Sequence, residues 1–299
     1  MKNSILLFLF LGVLTNAQIN RFFYEYKSIP DSNNKEDVKK EMMFLDIDKN
    51  GSNYYSRDKF VADSTSMAEI QKQIKGGGGS ISVNRRESPE TTSYKVMKSY
   101  PDFKTYLFTR VSTDQYKVKE EEKPVWKILA DKQKIGEYNA QKATTDYGGR
   151  QWIAWFTTDI PFQDGPYKFY GLPGLIVKLE DTTGSHIMTL VGNKKIETPA
   201  EQKELEMPGN VRVMGIGGKE IEVTKDQYKK VWKDYVNDPT KNMRQMMMGN
   251  TENSKVSFKV RSSDGKEISD PNQVFREMEK RTKESLAKNN NPIEPDLVK

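Results

Sequence analysis

The 299-residue chain contains no cysteine and a single histidine, His186. Without thiols there is no disulfide framework, no thiolate metal site and no cysteine nucleophile, so a packed core has to hold the fold. With one imidazole, a tetrahedral zinc site would consist mostly of carboxylates. A Ser-His-Asp triad would need His186 beside a nucleophile elbow of the G-x-S-x-G type, which the sequence does not contain. Long apolar runs are missing after residue 17, because Lys, Asp or Glu interrupts each within a few positions. No later segment therefore reaches the roughly 20 apolar residues that span a bilayer. Long blocks of one charge sign are missing too, and the net charge of +6 could favour an anionic surface or substrate but reads first as general solubility.

At the start, 1-MKNSILLFLFLGVLTNAQ-18 places one lysine ahead of an apolar run and small residues before Gln18. That is the pattern of a secretory signal peptide over residues 1–17, too short in its apolar part to serve as an anchor. The expectation is an exported protein, periplasmic or secreted, with no transmembrane segment after cleavage. Nucleic acid is an improbable partner there.

The remainder reads as strands. Phe22, Tyr24 and Tyr26 alternate, as in a half-buried strand. Apolar alternation on both sides of Asn50-Gly51 predicts a hairpin turning on that dipeptide. Phe60, Met67, Ile70 and Ile74 fall at helical spacing behind Ser56, a capping residue. The run 76-GGGGS-80 lacks the Lys-Ser or Lys-Thr of a phosphate loop and reads as a plain loop, so no nucleotide cofactor is implied. From 94 to 191, short apolar runs separated by Gly, Asp, Asn and Pro predict an antiparallel meander. Later, Thr224 with Gln227 forms a capping box, Asp270-Pro271 opens a last helix, and 289–299 reads as an extended or frayed tail.

These elements give a β-rich α+β fold. A curved antiparallel sheet, meander or half-barrel, carries one short helix from the first half of the chain and helices from its end. Residues 18–195 form the β domain, and 196–299 an extension of loops and helices packed on it.

Three sets of residues could carry chemistry. Asp159, Asp164, Glu180 and Asp181 cluster in sequence, as an acid-base pair would, although turn capping accounts for the aspartates. Met243, Met246, Met247 and Met248 could offer thioethers to Cu(I), or simply form an apolar patch. Trp152, Trp155 and Tyr170 stand among many aromatics and could line a groove on an open sheet face, or be core.

The run 143-ATTDYGGRQWIAWFTTDIPFQDGPYKFYGLPGLIVKLED-181 contains the hexapeptide Gly171, Leu172, Pro173, Gly174, Leu175, Ile176, together with Trp152-x-Ala154-Trp155, Asp159-Ile160-Pro161 and Gly165-Pro166. It closely resembles the defining block of the exported GLPGLI family, also called Porph_ging, of Gram-negative bacteria, and 289-NNNPIEP-295 resembles that family's ending. The resemblance implies no activity, ligand or catalytic residue. Physically, Leu172-Pro173-Gly174-Leu175 fits a type II turn that launches a strand.

The sequence is accordingly read as an exported, non-enzymatic binding or accessory protein of the cell envelope. Its sheet groove would take a peptide, glycan or lipid, with Trp152, Trp155 and Tyr170 as ligand contacts. The hexapeptide is scaffold, and an outer-membrane transport or secretion complex is a candidate partner. No resident metal or other cofactor is assigned. A carboxylate-based hydrolase and a copper-binding protein are the alternatives.

Overall fold

Two meanders merge into one sheet. In the computed structural model, which describes residues 18–75, 92–197, 220–248, 260–261, 267–268 and 270–298, the first meander runs β1 (Gln18–Ser28), β2 (Lys39–Ile47), β3 (Gly51–Ser56), β4 (Lys95–Ser99), β5 (Lys104–Val111) and β6 (Asp114–Glu120). The second runs β7 (Lys127–Ile135), β8 (Tyr138–Tyr147), β9 (Arg150–Thr157), β10 (Leu175–Asp181) and β11 (His186–Glu197). An antiparallel seam between β1 and β11 joins them, and β12 (Ile221–Thr224) adds to β6 in parallel, giving 12 strands in an open sheet. The expected antiparallel sheet is therefore present, with one parallel edge and with the single meander replaced by two.

The connection from β6 to β7 forces the sheet to curl. Only residues 121–126 separate these strands, a reach of about 25 Å for extended chain. Ten strand spacings lie between them in the sheet order, about 48 Å if flat. The strand faces then divide the residues by period two. Tyr24, Met43, Leu45, Tyr54, Val96, Trp152 and Met188 fill the concave side. On the convex side, Phe44 contacts Phe23 and Tyr55 edge to face.

Helix α1 (Arg57–Lys75) lies on that convex side, where Phe60 meets Phe44 and Tyr55, and the Ser56 hydroxyl caps it by accepting from Lys59 N–H at 3.1 Å. The capping box predicted at Thr224 and Gln227 opens α2 (Lys225–Asn237), which is followed by α3 (Lys241–Met248). Asp270 caps α4 (Pro271–Lys288), and α5 (Pro295–Val298) closes the described chain. The predicted signal peptide, the 76–80 glycine run and the side chains of Met246, Met247 and Met248 lie outside the described residues.

Three local expectations are corrected. The hairpin between β2 and β3 turns on Lys49 and Asn50, held by the Asp48 carboxylate, which accepts from Asn50 N–H at 2.7 Å and Gly51 N–H at 3.0 Å. Gly51 is needed for space instead, since a Cβ there would sit 2.1 Å from the Lys98 carbonyl oxygen. Around Pro173 the chain makes a three-residue turn, with Gly174 N–H donating to Leu172 O at 2.7 Å, rather than a type II turn. The segment after α4 is not frayed. Glu294 and Leu297 are buried, and Asn291 N–H donates to Pro30 O at 2.9 Å.

Candidate functional site

The long connection between β9 and β10 folds back into the concave face, and buried charges hold it there. Lys98 on β4 and Asp164 on the connection form an ion pair. The Lys98 ammonium also donates to the carbonyls of Gly165 at 2.7 Å, Tyr167 at 3.0 Å and Phe169 at 3.3 Å. Burial pushes the Lys98 pKa down, and the Asp164 carboxylate opposes that shift. Asp164 in turn accepts from the Tyr100 hydroxyl and from Gly165 N–H at 2.6 Å. A second lysine on the connection, Lys168, reaches Glu120 at 2.7 Å and Glu294 at 2.6 Å, tying β6 and the 289–298 segment to the same plug.

The sequence-predicted residues fall within this packing. Trp152, 1% exposed, packs at a tilt against Phe169 and donates its indole N–H to Tyr147 O at 3.0 Å. Trp155, 8% exposed, stands three positions further along a regular stretch of β9, so it lies on the opposite sheet face and shares no groove with Trp152. Tyr170, also 8% exposed, is on the plug, stacked on Phe103 at 4.5 Å. The groove expected around these three is thus filled by the chain itself.

The carboxylates do not converge. Asp164 is committed to Lys98 and Asp181 to Arg150 at 2.9 Å, Glu180 pairs with Lys178 at 2.8 Å, and Asp159 is exposed. His186 is buried between Tyr26 and Asn291 O. A carbonyl only accepts, so Nε2 carries the proton and Nδ1 accepts from the Tyr26 hydroxyl. Burial, with the Arg150 charge beside it, pushes the His186 pKa down to about 4. Among the described residues, no group of three or more His, Cys, Asp or Glu is arranged to hold a metal.

Sequence reasoning missed a cleft on the convex face. It has a volume of about 370 Å³ and lies between α1 and the β2–β4 strands. Tyr55, Phe60 and Met67 give it apolar walls, and Asp46, Asp48, Asn53, Asp63, Lys59 and Lys95 give it polar groups. One wall is preorganised. Arg21 forks onto Asp46 through two bonds of 2.7 Å, while the Tyr55 hydroxyl donates to Asp46 at 2.6 Å and accepts from Arg21 at 2.9 Å. The guanidinium lies 4.4 Å from the centre of the Phe44 ring, which fixes its plane. The hydrogen bond to Asp46 raises the Arg21 pKa further, and burial raises that of the Tyr55 hydroxyl. The side-chain oxygen of Asn53 is buried without a hydrogen-bond partner among the described residues. The legible signal was the alternation itself, with Arg21, Phe44, Asp46, Asn53 and Tyr55 at the out-facing positions of three consecutive strands.

The segment that plugs the concave face also decides the family likeness. Residues 147–178 match the Porph_ging family model. That family is described as "Protein of unknown function (Porph_ging)". No curated protein matches the chain. Solved structures to which the chain is similar include PNGF-II in space group P21, at 16% identity and TM-score 0.46, covering 73% of this chain and 34% of that one. PNGF-II in space group C2 is similar at 17% identity and TM-score 0.46, covering 73% and 33%. The chain therefore spans about a third of the length of the PNGF-II chains it matches.

The Porph_ging segment is the structural keystone of the sheet. It supplies the turn glycines Gly148 and Gly149, Arg150, Trp152, the plug with Asp164 and Lys168, and Gly174, where a Cβ would lie 2.0 Å from the Thr157 carbonyl oxygen. The groups that lock the Porph_ging segment in place, Lys98, Glu120 and Glu294, all lie outside it.

Proposed function

We propose that this is an exported, non-enzymatic binding protein of the cell envelope, whose ligand occupies the cleft between α1 and the convex face and is a neutral glycan. The observation that carries the reading is the contrast between the two faces. The concave face is filled by the protein's own plug, whereas the cleft is open, ring-walled and rimmed by polar groups, as small-ligand sites are.

Charge supports the ligand class. Asp46 is neutralised by Arg21, Asp63 is paired with Lys59 at 2.9 Å, and Asp48 is engaged by turn amides. Three of the cleft's carboxylates are thus already engaged, so a cationic ligand would meet no free carboxylate among them, and Lys95 is left as a donor to ligand hydroxyls. A hydroxyl-rich ligand with one apolar face suits the Tyr55 and Phe60 rings together with the polar rim of the cleft. The same pairing argues against acid-base catalysis there. Export rests on the pattern of residues 1–17.

Titration calorimetry against short neutral oligosaccharides tests the site. Saturable binding is expected, weakened at least about tenfold by Phe60→Ala or Asn53→Ala while circular dichroism shows the fold retained. Binding unaffected by both substitutions, or none across the set, would sink the reading. Export predicts that cell fractionation finds the protein outside the cytoplasm, with Gln18 at its amino terminus.

A further inference from the structure

The segment that follows α4 is held as a bound peptide is held. Around it, five groups from distant parts of the chain form a cradle. Pro30 O accepts from Asn291 N–H at 2.9 Å and Ile29 O from the Asn291 side chain at 2.8 Å. Arg150 reads both the Asn291 side-chain oxygen at 2.5 Å and Pro292 O at 2.7 Å, and His186 donates to Asn291 O at 3.1 Å. Glu294, 2% exposed, enters a pocket whose floor is Lys168.

The cradle is moulded to its occupant. A Cβ on Gly148 would lie 2.8 Å from Glu294 Cγ, and one on Gly149 2.4 Å from Asp296 Oδ1 and 3.3 Å from its backbone nitrogen, and both glycines have positive φ, so the β8–β9 turn packs closely on the segment with glycine at both places. Leu297 adds an apolar anchor in the core. Pro292 and Pro295 stiffen the segment between its anchors, which lowers the entropy lost on docking.

We propose that this cradle is a peptide-recognition site for the pattern Asn-Pro-x-Glu-Pro, occupied in cis by residues 289–298. The anchors are Asn291, read by Arg150, His186 and the β1–β2 loop, and Glu294, read by Lys168. Tethering gives the resident segment an effective concentration in the millimolar range, so a peptide offered in trans competes only once the tether is cut.

The test uses the full chain, folded first and then cut at a protease site inserted between Lys288 and Asn289. The cut protein is expected to keep its circular dichroism and to retain the 289–299 peptide without a covalent link. That peptide should exchange with a fluorescent copy in a saturable way. Copies carrying Asn291→Ala or Glu294→Gln should compete at least about tenfold less well, and the uncut protein should bind the labelled copy at least about a hundredfold more weakly. Gly149→Val in the cut protein should release the segment. Unfolding on cleavage would show an integral part of the core and overturn the proposal. So would a folded cut protein that neither retains nor rebinds the peptide, or one that binds the substituted copies equally well.

Discussion

Lys98 and Asp164 face each other in an ion pair from which both side chains expose 0% of their surface to water. Sixty-odd residues of intervening chain are closed by this contact, and three further carbonyls of the plug converge on the same ammonium. Such a pair is costly to break from one side, because the orphaned charge stays buried. Lys98→Met or Asp164→Leu alone should each destabilise the fold by about 3–5 kcal/mol in urea denaturation. The double substitution should be clearly less damaging than the two single losses added together. Simple additivity would show that the two charges are not coupled.

Gly171 and Gly174 both have positive φ, +93° and +152°, and differ in what surrounds them. Nothing lies within 4 Å of a Cβ at Gly171, whereas one at Gly174 would overlap the Thr157 carbonyl group. Gly171→Ala should cost only the backbone strain, about 1–3 kcal/mol. Gly174→Ala should cost more than that, and Gly174→Val should lower the melting temperature further. Equal melting temperatures for the Gly171 and Gly174 alanine variants would contradict the close approach.

His186 makes stability depend on pH. Its pKa is about 4 in the folded protein against 6.5 in the unfolded chain, so the unfolded state binds the proton first as pH falls. The stabilisation is complete above about pH 6.5 and is lost progressively down to about pH 4, by about 3 kcal/mol in all. Denaturation midpoints measured across that window should fall with pH in the wild type. They should fall less in His186→Gln, and parallel curves would assign the dependence to other groups.

The convex-face fork should be separable from the cleft's ring wall. Arg21→Met removes the partner of Asp46 and leaves that carboxylate with Tyr55 alone, a loss of about 1–3 kcal/mol. Phe60→Ala should leave the fork intact, so that in this variant the Arg21 Nε–H stays protected from exchange with water; rapid exchange would show that the ring wall and the fork are one unit.

Much of the sheet was readable because its cause is local. Alternation at Phe22, Tyr24 and Tyr26 needs no partner to be recognised, and the capping groups at Ser56, Thr224 and Asp270 act within one helical turn. The reasons for Gly51 and Gly174 were not local. Each makes room for a carbonyl on another strand, Lys98 and Thr157, so the residues could be seen to matter while the geometry assigned to them was wrong. Residues 289–299 read as an extended or frayed tail because Arg150, Lys168 and His186, which hold the segment, lie more than a hundred residues earlier. Trp152 and Trp155 were grouped by nearness in sequence, although period two places residues three apart on opposite faces.

The β1–β11 seam couples the first strand of the described fold to its eleventh, pairing Gln18–Ser28 with His186–Glu197. A chain emerging from its amino end can form β1 and β2 early, but the other edge of β1 stays open until residue 197 is available. Contacts of that separation slow folding and prolong the life of an unpaired edge, where intermolecular strand pairing begins. Late closure of this seam therefore lengthens the window in which the newly made protein is most prone to aggregate.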